Sequence, residues 1–360
     1  MNGEGVKLTT YFGERQRIGG RFLADRLMDV FAEHELHTSL VMRASEGFGA
    51  KHGHRTDRLL TLSEDLPLVS VAVDSPPRIE AALGAVRALP FRGLVTLERA
   101  RMLTGRLPAF EWPEVQHEAT KLTVYVGRQE RAAGRPAHQA VVDLLHDAGI
   151  AGATVLLGVD GTAHGVRHRA AFVGRNASVP LMIISVGEGR RIAGVLPRLG
   201  ALLARPLVTL ERIRVCKRDG VRLAEPSELP RTDPSGLGVW QKLMVYAGEQ
   251  SRHRGHPLNP QLIRALRDAG ADGATSVRGI WGYHGDHRPH GDRFWQLRRR
   301  VPVVTIVIDT PARIRDWFSI VDELTDETGL VTSEMVPAFH ATAPDTERGG
   351  TRLAERLVGD

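Results

Sequence analysis

The sequence predicts an α+β fold in which one structural unit occurs three times. The phrase LVTLER occurs twice and is followed by a third version, LVTSE, so that the three copies lie at 94–99, 207–212 and 330–334. Strand-like segments that keep Lys, Leu, Tyr and Gly in the same places precede them, at 7–13, 121–127 and 242–248. Repetition at a nearly fixed distance indicates that one supersecondary unit is used several times.

Within each unit the hydrophobic pattern changes between the period of a strand and that of a helix. After the first strand come helical stretches such as 21–33 and 136–148, in which apolar residues are spaced by three and four. Gly149 and Gly270 end this helix in the second and third units, as capping glycines do. A second strand, a polar loop, a third strand, a second helix and the repeated phrase follow. The order is β-α-β-β-α-β, which is the ferredoxin-like plan.

The third strands predict how the units are arranged. They are almost continuously apolar, at 68–73, 181–186 and 303–308. Such runs indicate burial on both faces, whereas strands with one wet face alternate. Two helices cover one face of each unit, so we expect the other faces to cover one another around a common axis, as an intramolecular pseudo-trimer. We place the units at 6–103, 120–217 and 241–340, the linkers at 104–119 and 218–240, and a flexible tail at 341–360.

Composition and charge narrow the function classes. Of the 360 residues, 42% are hydrophobic and 25% are charged, as in ordinary soluble globular proteins. No apolar run approaches the roughly 18 residues of a membrane span, and no secretory leader pattern is present, so we expect a cytoplasmic protein that is not membrane-embedded. The single cysteine, Cys216, fits a reducing compartment. The net charge of +6 attracts anions, but without an uninterrupted basic run we expect no nucleic-acid partner.

The loop after each first strand is the first candidate binding site. It leads into a helix N-terminus, where free amide hydrogens and the helix dipole favour anions. Arg17, Arg131 and Arg252 hold equivalent places in it and can contact a phosphate or a carboxylate. The competing interpretation is a tight turn whose arginine is solvated or pairs with a glutamate. The glycines that bound the three loops are candidates too: Gly13, Gly20, Gly127, Gly134, Gly248 and Gly255.

The loop between the two middle strands is the second candidate, and it is rich in Gly, His and Arg in all three units. Loops of this length in a compact unit usually carry function. In the third unit His284, His287 and His290 lie three residues apart, and imidazoles with a carboxylate can hold zinc or copper. That spacing aligns ligands only in a helix, which the Gly and Pro content disfavours. Solvated loop histidines are therefore the competing interpretation.

Catalytic chemistry finds little support in the sequence, and we expect that the protein is not an enzyme. It has no Ser-His-Asp order, nucleophile elbow or paired-carboxylate signature. Glu98, Glu211 and Glu334 repeat in the closing strands. One acid per unit, apart from any obvious base, is typical of a structural ion pair. Cys216 lies near a strand end, where packing is the expected role.

Three motifs of the first unit carry a resemblance to a known family. They are GERQRIGG at 13–20, EGFGA at 46–50 and LSEDLP at 62–67. They resemble the PII-like family catalogued as domain of unknown function 190. The second and third units match the pattern less closely, because Gly-Phe-Gly is replaced by GTAH at 161–164 and by GYH at 282–284.

The resemblance implies further binding residues in the loop between the middle strands. By correspondence with the family's glycine-rich motif and its histidine, these residues are Gly47, Phe48, Gly49, Gly282, His168 and His290, with Arg55 in the place of the histidine in the first unit and His54 beside it.

The family is similar to PII signalling proteins, which are homotrimers of ferredoxin-like subunits that bind adenine nucleotides or other small effectors in clefts between subunits. The resemblance therefore implies a regulatory protein that binds an anionic effector, foremost ATP, ADP or AMP, and signals through the loops between strands 2 and 3. It also implies a membrane channel or transporter as partner, and we expect the chain to be a monomer. Two alternatives stay open. One is a CutA-like metal-binding protein that uses the loop histidines, and the other is a ligand-free scaffold that contacts a membrane transport protein.

Overall fold

The structure is a computed structural model, and it describes residues 2–49, 55–56, 65–108, 118–163, 166–169, 179–284, 290–291, 301–343 and 346–357. The first unit consists of β1 (Asn2–Gly13), β2 (Arg17–Ile18), β3 (Arg21–Phe22), α1 (Leu23–Glu33), β4 (Thr38–Arg43), β5 (Glu46–Phe48), β6 (Arg55–Thr56), β7 (Pro67–Asp74), α2 (Pro76–Arg87) and β8 (Gly93–Thr104). The second consists of β9 (Glu118–Gly127), β10 (Arg131–Ala132), β11 (Arg135–Pro136), α3 (Ala137–Asp147), β12 (Gly152–Leu157), β13 (Asp160–Ala163), β14 (Val166–Arg169), β15 (Pro180–Gly187), α4 (Gly189–Leu202), β16 (Leu207–Arg218) and β17 (Val221–Arg222). The third consists of β18 (Trp240–Gly248), β19 (Arg252–His253), β20 (His256–Pro257), α5 (Leu258–Asp268), β21 (Ala274–His284), β22 (His290–Gly291), β23 (Pro302–Asp309), α6 (Pro311–Leu324) and β24 (Leu330–Val336), and it is followed by β25 (Ala338–Ala343) and β26 (Thr346–Gly350).

Each unit has an antiparallel sheet of four main strands. The order across the sheet is β4-β7-β1-β8 in the first unit, β12-β15-β9-β16 in the second and β21-β23-β18-β24 in the third. The predicted α+β composition and the three tandem units are confirmed. The helix expected at 21–33 begins two residues later, at Leu23, because Arg21 and Phe22 form β3.

The two helices of each unit cover one face of its sheet. In the first unit α1 buries Leu23, Leu27, Met28 and Phe31 against apolar side chains of β1 such as Leu8. Each fully buried side chain of this size stabilises the fold by about 1.5–3 kcal/mol. The second and third units repeat the arrangement under α3 with α4 and under α5 with α6. The chain therefore has three separate cores between helices and sheets.

The opposite faces of the three sheets meet in a fourth core, which we call the shared core. It contains buried side chains from all three units, among them Met42, Val71 and Met102 from the first, Tyr125, Met182 and Ile184 from the second, and Met244, Tyr246 and Val304 from the third. The expected burial of both sheet faces is confirmed. No unit can bury its second face alone, so each unit depends on the other two.

Strand pairing between units closes the arrangement into a ring. The end of β8 pairs with the start of β16, the end of β16 pairs with β24, and β25 pairs back with β8. On the other edge of the sheets, β4 pairs with β13, β12 pairs with β21, and β21 pairs with β5. Both edges of each sheet are therefore continued by strands of neighbouring units.

The segment after the third unit corrects the expectation of a flexible tail from residue 341. Strand β25 forms a hairpin with β26. Farther along, Ala354 is fully buried and its amide donates to the carbonyl of Pro337 at 2.8 Å. The Glu355 amide donates to Oδ2 of Asp233, a residue of the second linker, at 2.6 Å. The sequence signal was misleading because polar residues such as Thr346 and Glu347 form an exposed hairpin strand that stays in water on one side.

Three lysines and three glutamates form a buried ring of charges beside the shared core. In the sheets Lys7 faces Glu98, Lys121 faces Glu211 and Lys242 faces Glu334 as direct cross-strand partners. The separations between Nζ and the nearest carboxylate oxygen in these pairs are 3.0, 2.7 and 2.9 Å. Each ammonium also contacts a glutamate of another unit, in the pairs Lys7 with Glu211, Lys121 with Glu334 and Lys242 with Glu98. We call these six residues the charge ring, and the expectation of structural ion pairs for the glutamates is confirmed.

The charge ring is stable because opposite charges alternate within it. Burial alone would raise the pKa of Glu98, but the ammonium groups of Lys242 and Lys7 outweigh burial and hold this pKa well below its usual range. In the same way Lys121 and Lys242 outweigh burial and lower the pKa of Glu334 to about 2. The carboxylates outweigh burial and raise the pKa of Lys7 and Lys242, whereas burial prevails at Lys121 and lowers its pKa. Removing one charge would leave a buried partner ionised with one counter-charge fewer.

Glycine ends α3 and α5 in the predicted manner, but the first unit differs. Gly149 and Gly270 follow these helices with φ of 69° and 86°, the left-handed conformation that glycine adopts without strain. At the equivalent place after α1 the chain has Glu35, with φ of 49°. A side chain in this conformation costs about 1–2 kcal/mol. The first unit therefore carries strain that the other two avoid.

Replacing Glu35 by glycine should stabilise the protein by about 0.5–1 kcal/mol, because relief of the left-handed strain exceeds the added entropy of the unfolded chain. Urea denaturation measures the change. Glu33, which is also exposed but helical, is the matched control, and Glu33→Gly should destabilise by about 0.5–1 kcal/mol. Equal effects of the two substitutions would contradict the assignment of strain to Glu35.

Lys121→Met should destabilise the protein by about 3–5 kcal/mol, because it leaves Glu211 and Glu334 buried with one ammonium fewer. Adding Glu334→Gln should recover part of this loss, and a double-mutant cycle in urea measures the coupling. Lys217→Met is the control. Lys217 is also buried, but its partner Asp322, at 2.7 Å, is partly exposed, so a smaller loss is expected. A loss below about 1 kcal/mol for Lys121→Met would contradict the role of the charge ring.

Candidate functional site

The loops after the first strands are short hairpins rather than open loops. The pairs β2–β3, β10–β11 and β19–β20 each enclose a two-residue turn. Both residues of each turn have positive φ, namely Gly19 and Gly20, Ala133 and Gly134, and Arg254 and Gly255. This is the geometry of a type I′ turn, which explains the second glycine of each turn. We call these three elements the arginine hairpins.

The three candidate arginines lie on these hairpins and share one contact. Arg17 donates to the carbonyl of Gly20 at 2.8 Å, and Arg252 donates to that of Gly255 at 2.7 Å. Arg131 makes the same bond to the carbonyl of Gly134. All three side chains are exposed. A guanidinium has five N–H donors, so one bond within the hairpin leaves donors for an anion.

The amides at the start of each arginine hairpin are partly occupied by the chain itself. In the first unit the Asp65 carboxylate accepts from the Arg15 amide at 2.6 Å. A Cβ on Gly13 would lie 2.4 Å from Oδ2 of Asp65, so a larger residue there would have to displace the Asp65 carboxylate. In the other units Glu130 accepts from the Gly127 amide, and the Ser251 hydroxyl accepts from the Gly248 amide, both at 3.0 Å.

The helices that follow the hairpins begin without a side-chain cap in the described structure. The residues at the cap positions of α1, α3 and α5 are Phe22, Pro136 and Pro257, and none makes a side-chain hydrogen bond to the helix. The first residue of each helix, Leu23, Ala137 or Leu258, is buried, and its amide donates to a backbone carbonyl of the preceding hairpin. The exposed arginine, and not a free helix amide, is therefore the group at this place that can contact an anion. The arrangement recurs in all three units.

The candidate residues Gly47 and Phe48 connect the first unit to the third. They belong to β5, where Gly47 pairs with Thr275 of β21. A Cβ on Gly47 would lie 2.7 Å from the carbonyl oxygen of Ala274, so only glycine fits there. The Phe48 side chain is 3% exposed and packs in the helix-covered core of the third unit. Gly49 follows directly, and a Cβ there would meet open space.

The third unit reaches into the second in the same way. Gly282 pairs with Thr154, and a Cβ on it would lie 2.2 Å from the carbonyl oxygen of Ala153. Tyr283 lies in the core of the second unit, and its hydroxyl donates to the carbonyl of Ile150 at 2.7 Å. The second unit in turn pairs Gly161 with Leu40 of the first. We call these three contacts the straps.

The straps were missed by sequence reasoning, which assigned the same residues to ligand binding. A signal was present: a glycine at the equivalent position in all three units, followed by an aromatic residue in two of them. Spacing does not reveal whether such a glycine approaches a ligand or a neighbouring strand. For Gly47, Phe48 and Gly282 the contacts between units are a sufficient structural reason.

Several candidates fall outside what the structure describes. His54 and His287 lie outside the described residues, and for Arg55, His168, His284 and His290 the backbone alone is described. Within the described ranges no group of three or more His, Cys, Asp or Glu side chains is arranged to hold a metal ion.

Cys216 is buried in the core of the third unit, although it belongs to β16 of the second. Burial raises the pKa of its thiol to about 12, which keeps the sulfur protonated and unreactive at neutral pH. The packing role expected for this cysteine agrees with its position.

Comparison with known proteins identifies one family along the chain. The model of the DUF190 family, described as "Uncharacterized ACR, COG1993", matches residues 5–102, 119–215 and 240–338. A curated relative, a UPF0166 protein of Aquifex aeolicus (strain VF5), is 28% identical over 98 residues, which are 27% of this chain and 91% of that protein.

Solved structures give only weak likenesses. An aspartate kinase from Synechocystis has a TM-score of 0.23 at 12% identity, over 95% of this chain and 45% of the kinase. An anthrone oxidase-like protein has a TM-score of 0.19 at 12% identity, over 71% of this chain and 100% of that protein. In the part of the chain that is described, no helix is long and apolar enough to cross a membrane.

Phe48→Ala should destabilise the protein by about 3–5 kcal/mol and should speed amide hydrogen exchange in α5 of the third unit more than in α1 of its own unit. Hydrogen exchange with mass spectrometry separates the two helices. Phe91→Ala is the control, because Phe91 packs on the core of the first unit. If Phe48→Ala speeds exchange more in α1 than in α5, the prediction that Phe48 stabilises the core of the third unit would be contradicted.

Proposed function

Since this chain belongs to the DUF190 family along all three of its units, we propose that it is a PII-like regulatory protein that binds an anionic small molecule at the junctions between units. An adenine nucleotide (ATP, ADP or AMP) is the foremost candidate. In this proposal the protein is not an enzyme, acts in the cytoplasm as a monomer, and passes the bound state to a partner such as a membrane channel or transporter.

The architecture supports the comparison with a trimeric regulator. The order of strands in each sheet, with two helices on one face, is consistent with the ferredoxin-like plan that we propose for each unit. Side chains of all three units meet in one shared core, as expected for the single-chain counterpart of a trimer. We therefore interpret the chain as an intramolecular pseudo-trimer.

One observation carries the proposal: each arginine hairpin leads into a helix that is packed against the neighbouring unit. Helix α1 contacts β13 and β14 of the second unit, α3 contacts β21 of the third, and α5 contacts β5 of the first. An anion held by the arginine of a hairpin would therefore lie beside a junction. Because these contacts include the strap strands, ligand binding there would bear on the loops between strands 2 and 3.

The junctions are chemically unequal, and we propose that they respond unequally. The Asp65 carboxylate accepts from the Arg15 amide in the first, the Glu130 carboxylate from the Gly127 amide in the second, and the Ser251 hydroxyl from the Gly248 amide in the third. In the third, the Asp326 carboxylate also lies beside the hairpin, 3.0 Å from Nδ1 of His253. A carboxylate at this place repels an anionic ligand, whereas a hydroxyl does not. Each arginine hairpin therefore has a carboxylate near it in a different position, and the three sites differ in affinity for this reason in this proposal.

ATP, ADP or AMP at a hundredfold excess over its dissociation constant should raise stability by about 2.7 kcal/mol, and differential scanning fluorimetry detects the shift in Tm. The variant Arg17→Ala with Arg131→Ala and Arg252→Ala should abolish the shift. The matched control is Arg87→Ala with Arg198→Ala and Arg315→Ala, which removes the same charge from exposed positions on α2, α4 and α6 and should retain it.

Other results would contradict the proposal in distinct ways. A shift with zinc or copper that His287→Ala abolishes would favour the metal-binding alternative. Equal loss of the nucleotide response in both triple variants would show that the response depends on net charge and not on the arginine hairpins. If no nucleotide changes the Tm, the alternative of a ligand-free scaffold that acts through protein contacts would be favoured.

A further inference from the structure

A cavity of about 450 Å³ lies where the closing strands of the three units meet. Every unit contributes to its walls, and so does the C-terminal segment. The lining includes the three glutamates of the charge ring and four arginines, Arg99, Arg101, Arg212 and Arg356. The volume is within the range of small-molecule sites, which are about 300–1,000 Å³. We call this space the axial cavity. It is separate from the arginine hairpins.

The glutamates of the charge ring contribute little to the polarity of the axial cavity. Their side chains are only 4–5% exposed, so a molecule in the cavity meets little of their surface. Each of them contacts two ring lysines, and the six ring residues together carry no net charge. Because opposite charges alternate at short distances, their fields largely cancel at the mouth of the cavity. The ring therefore does not decide which ligand the cavity takes.

The accessible charges of the axial cavity are mainly guanidinium groups. The side chain of Arg356 is 60% exposed and that of Arg212 is 24% exposed, and Arg101 is exposed as well. Apart from the ring, the lining contains four arginines and one glutamate, Glu4. A surface of this composition attracts anions and repels cations.

The carboxylates nearest to these arginines do not prevent binding of an anion. Glu4 pairs with Arg356, but both side chains are more than half exposed, and an exposed pair of this kind contributes only about 0–1 kcal/mol. Glu118 lies 3.4 Å from Nε of Arg212, which is one of the five N–H donors of a guanidinium. A ligand that carries several negative charges can therefore compete with Glu4 for Arg356.

The C-terminal segment places Arg356 where the third unit lacks an arginine. Arg99 and Arg212 directly follow ring glutamates, whereas the third unit has Met335 at this position. The backbone of the segment is fixed, since Ala354 is fully buried and its carbonyl accepts from Arg99 at 2.6 Å. Each of the three sides of the cavity is in this way supplied with an arginine.

Several arginines around one space select a ligand with several anionic oxygens. A guanidinium binds a carboxylate or a phosphate through two parallel hydrogen bonds. A monovalent anion satisfies one such group, whereas a multivalent oxyanion contacts two or more at once. We propose that the axial cavity binds a small multivalent oxyanion, of the phosphate or polycarboxylate type, between Arg356 and the arginines of the closing strands. This site is independent of the proposed nucleotide function, because its residues are different.

Isothermal titration calorimetry on the full chain, at low ionic strength and without divalent cations, tests the proposal with pyrophosphate, citrate and acetate. Pyrophosphate or citrate should bind at least about tenfold more tightly than acetate, a difference of about 1.4 kcal/mol. Binding of pyrophosphate alone would assign the site to phosphoryl groups, and binding of citrate alone would assign it to carboxylates. Both outcomes support the proposal.

Variants of the lining locate the bound anion. Arg356→Gln should weaken binding about tenfold, because it removes a charge-assisted contact. Arg352→Gln, an exposed arginine in the same segment that does not line the cavity, should leave binding unchanged. Met335→Arg should tighten binding about fivefold, because it adds the guanidinium that the other two units have at this position. Met335→Gln is its neutral control, and circular dichroism checks that each variant is folded.

Three results would overturn the proposal. One is the absence of binding by both pyrophosphate and citrate. Another is equal affinity of the unchanged chain, Arg356→Gln and Met335→Arg. The third is loss of binding in the triple variant Arg17→Ala with Arg131→Ala and Arg252→Ala, which would place the anion at the arginine hairpins. The proposal expects this triple variant to retain full binding of the oxyanion, even where it loses its response to nucleotides.

Discussion

The whole arrangement depends on six buried charges that can be neutralised only when three units are in place. Each ring lysine has a glutamate of its own sheet and a glutamate of another unit within reach. A shift of one strand by one residue would turn its lysine toward the helices and leave two carboxylates buried without it. Apolar contacts in the shared core tolerate such shifts far better than charges do. The charge ring thus specifies both the register of the strands within each sheet and the position of the three sheets relative to one another.

The need to cover edge strands explains why each unit is joined to its neighbours along both edges of its sheet. A free edge exposes unpaired backbone groups and invites pairing with other chains. Here the closing strands extend into the next unit on one side, and the straps continue the sheets on the other. The side chains of Phe48 and Tyr283 then anchor the straps by packing in the core of a neighbouring unit. The segment that leads into the loop between strands 2 and 3 of one unit therefore pairs with a strand of a neighbouring unit. Each of these loops is in this way connected directly to a junction between units.

The sequence was informative where a physical rule acts within one unit and less so where residues meet across units. Strand and helix order, the glycine ends of α3 and α5, and burial on both faces followed from periodicity and the repeat. The glutamates Glu98, Glu211 and Glu334 were expected to form ion pairs, but their partners were not identified, because three of the six lysine–glutamate contacts join residues of different units. Phe48 looked like a ligand residue for the same reason. The hairpin after residue 337 was missed because its polar strands resemble an unstructured tail.

In an assembly of identical subunits, a single codon sets all copies of a position, so any replacement is made at every subunit or at none. Covalent linkage of the three units removes that restriction. The position after the ring glutamate is arginine in two units and Met335 in the third, while Arg356 stands nearby from a segment that has no counterpart in the other units. One chain can in this way change a position in one unit while the other two units keep the original residue there.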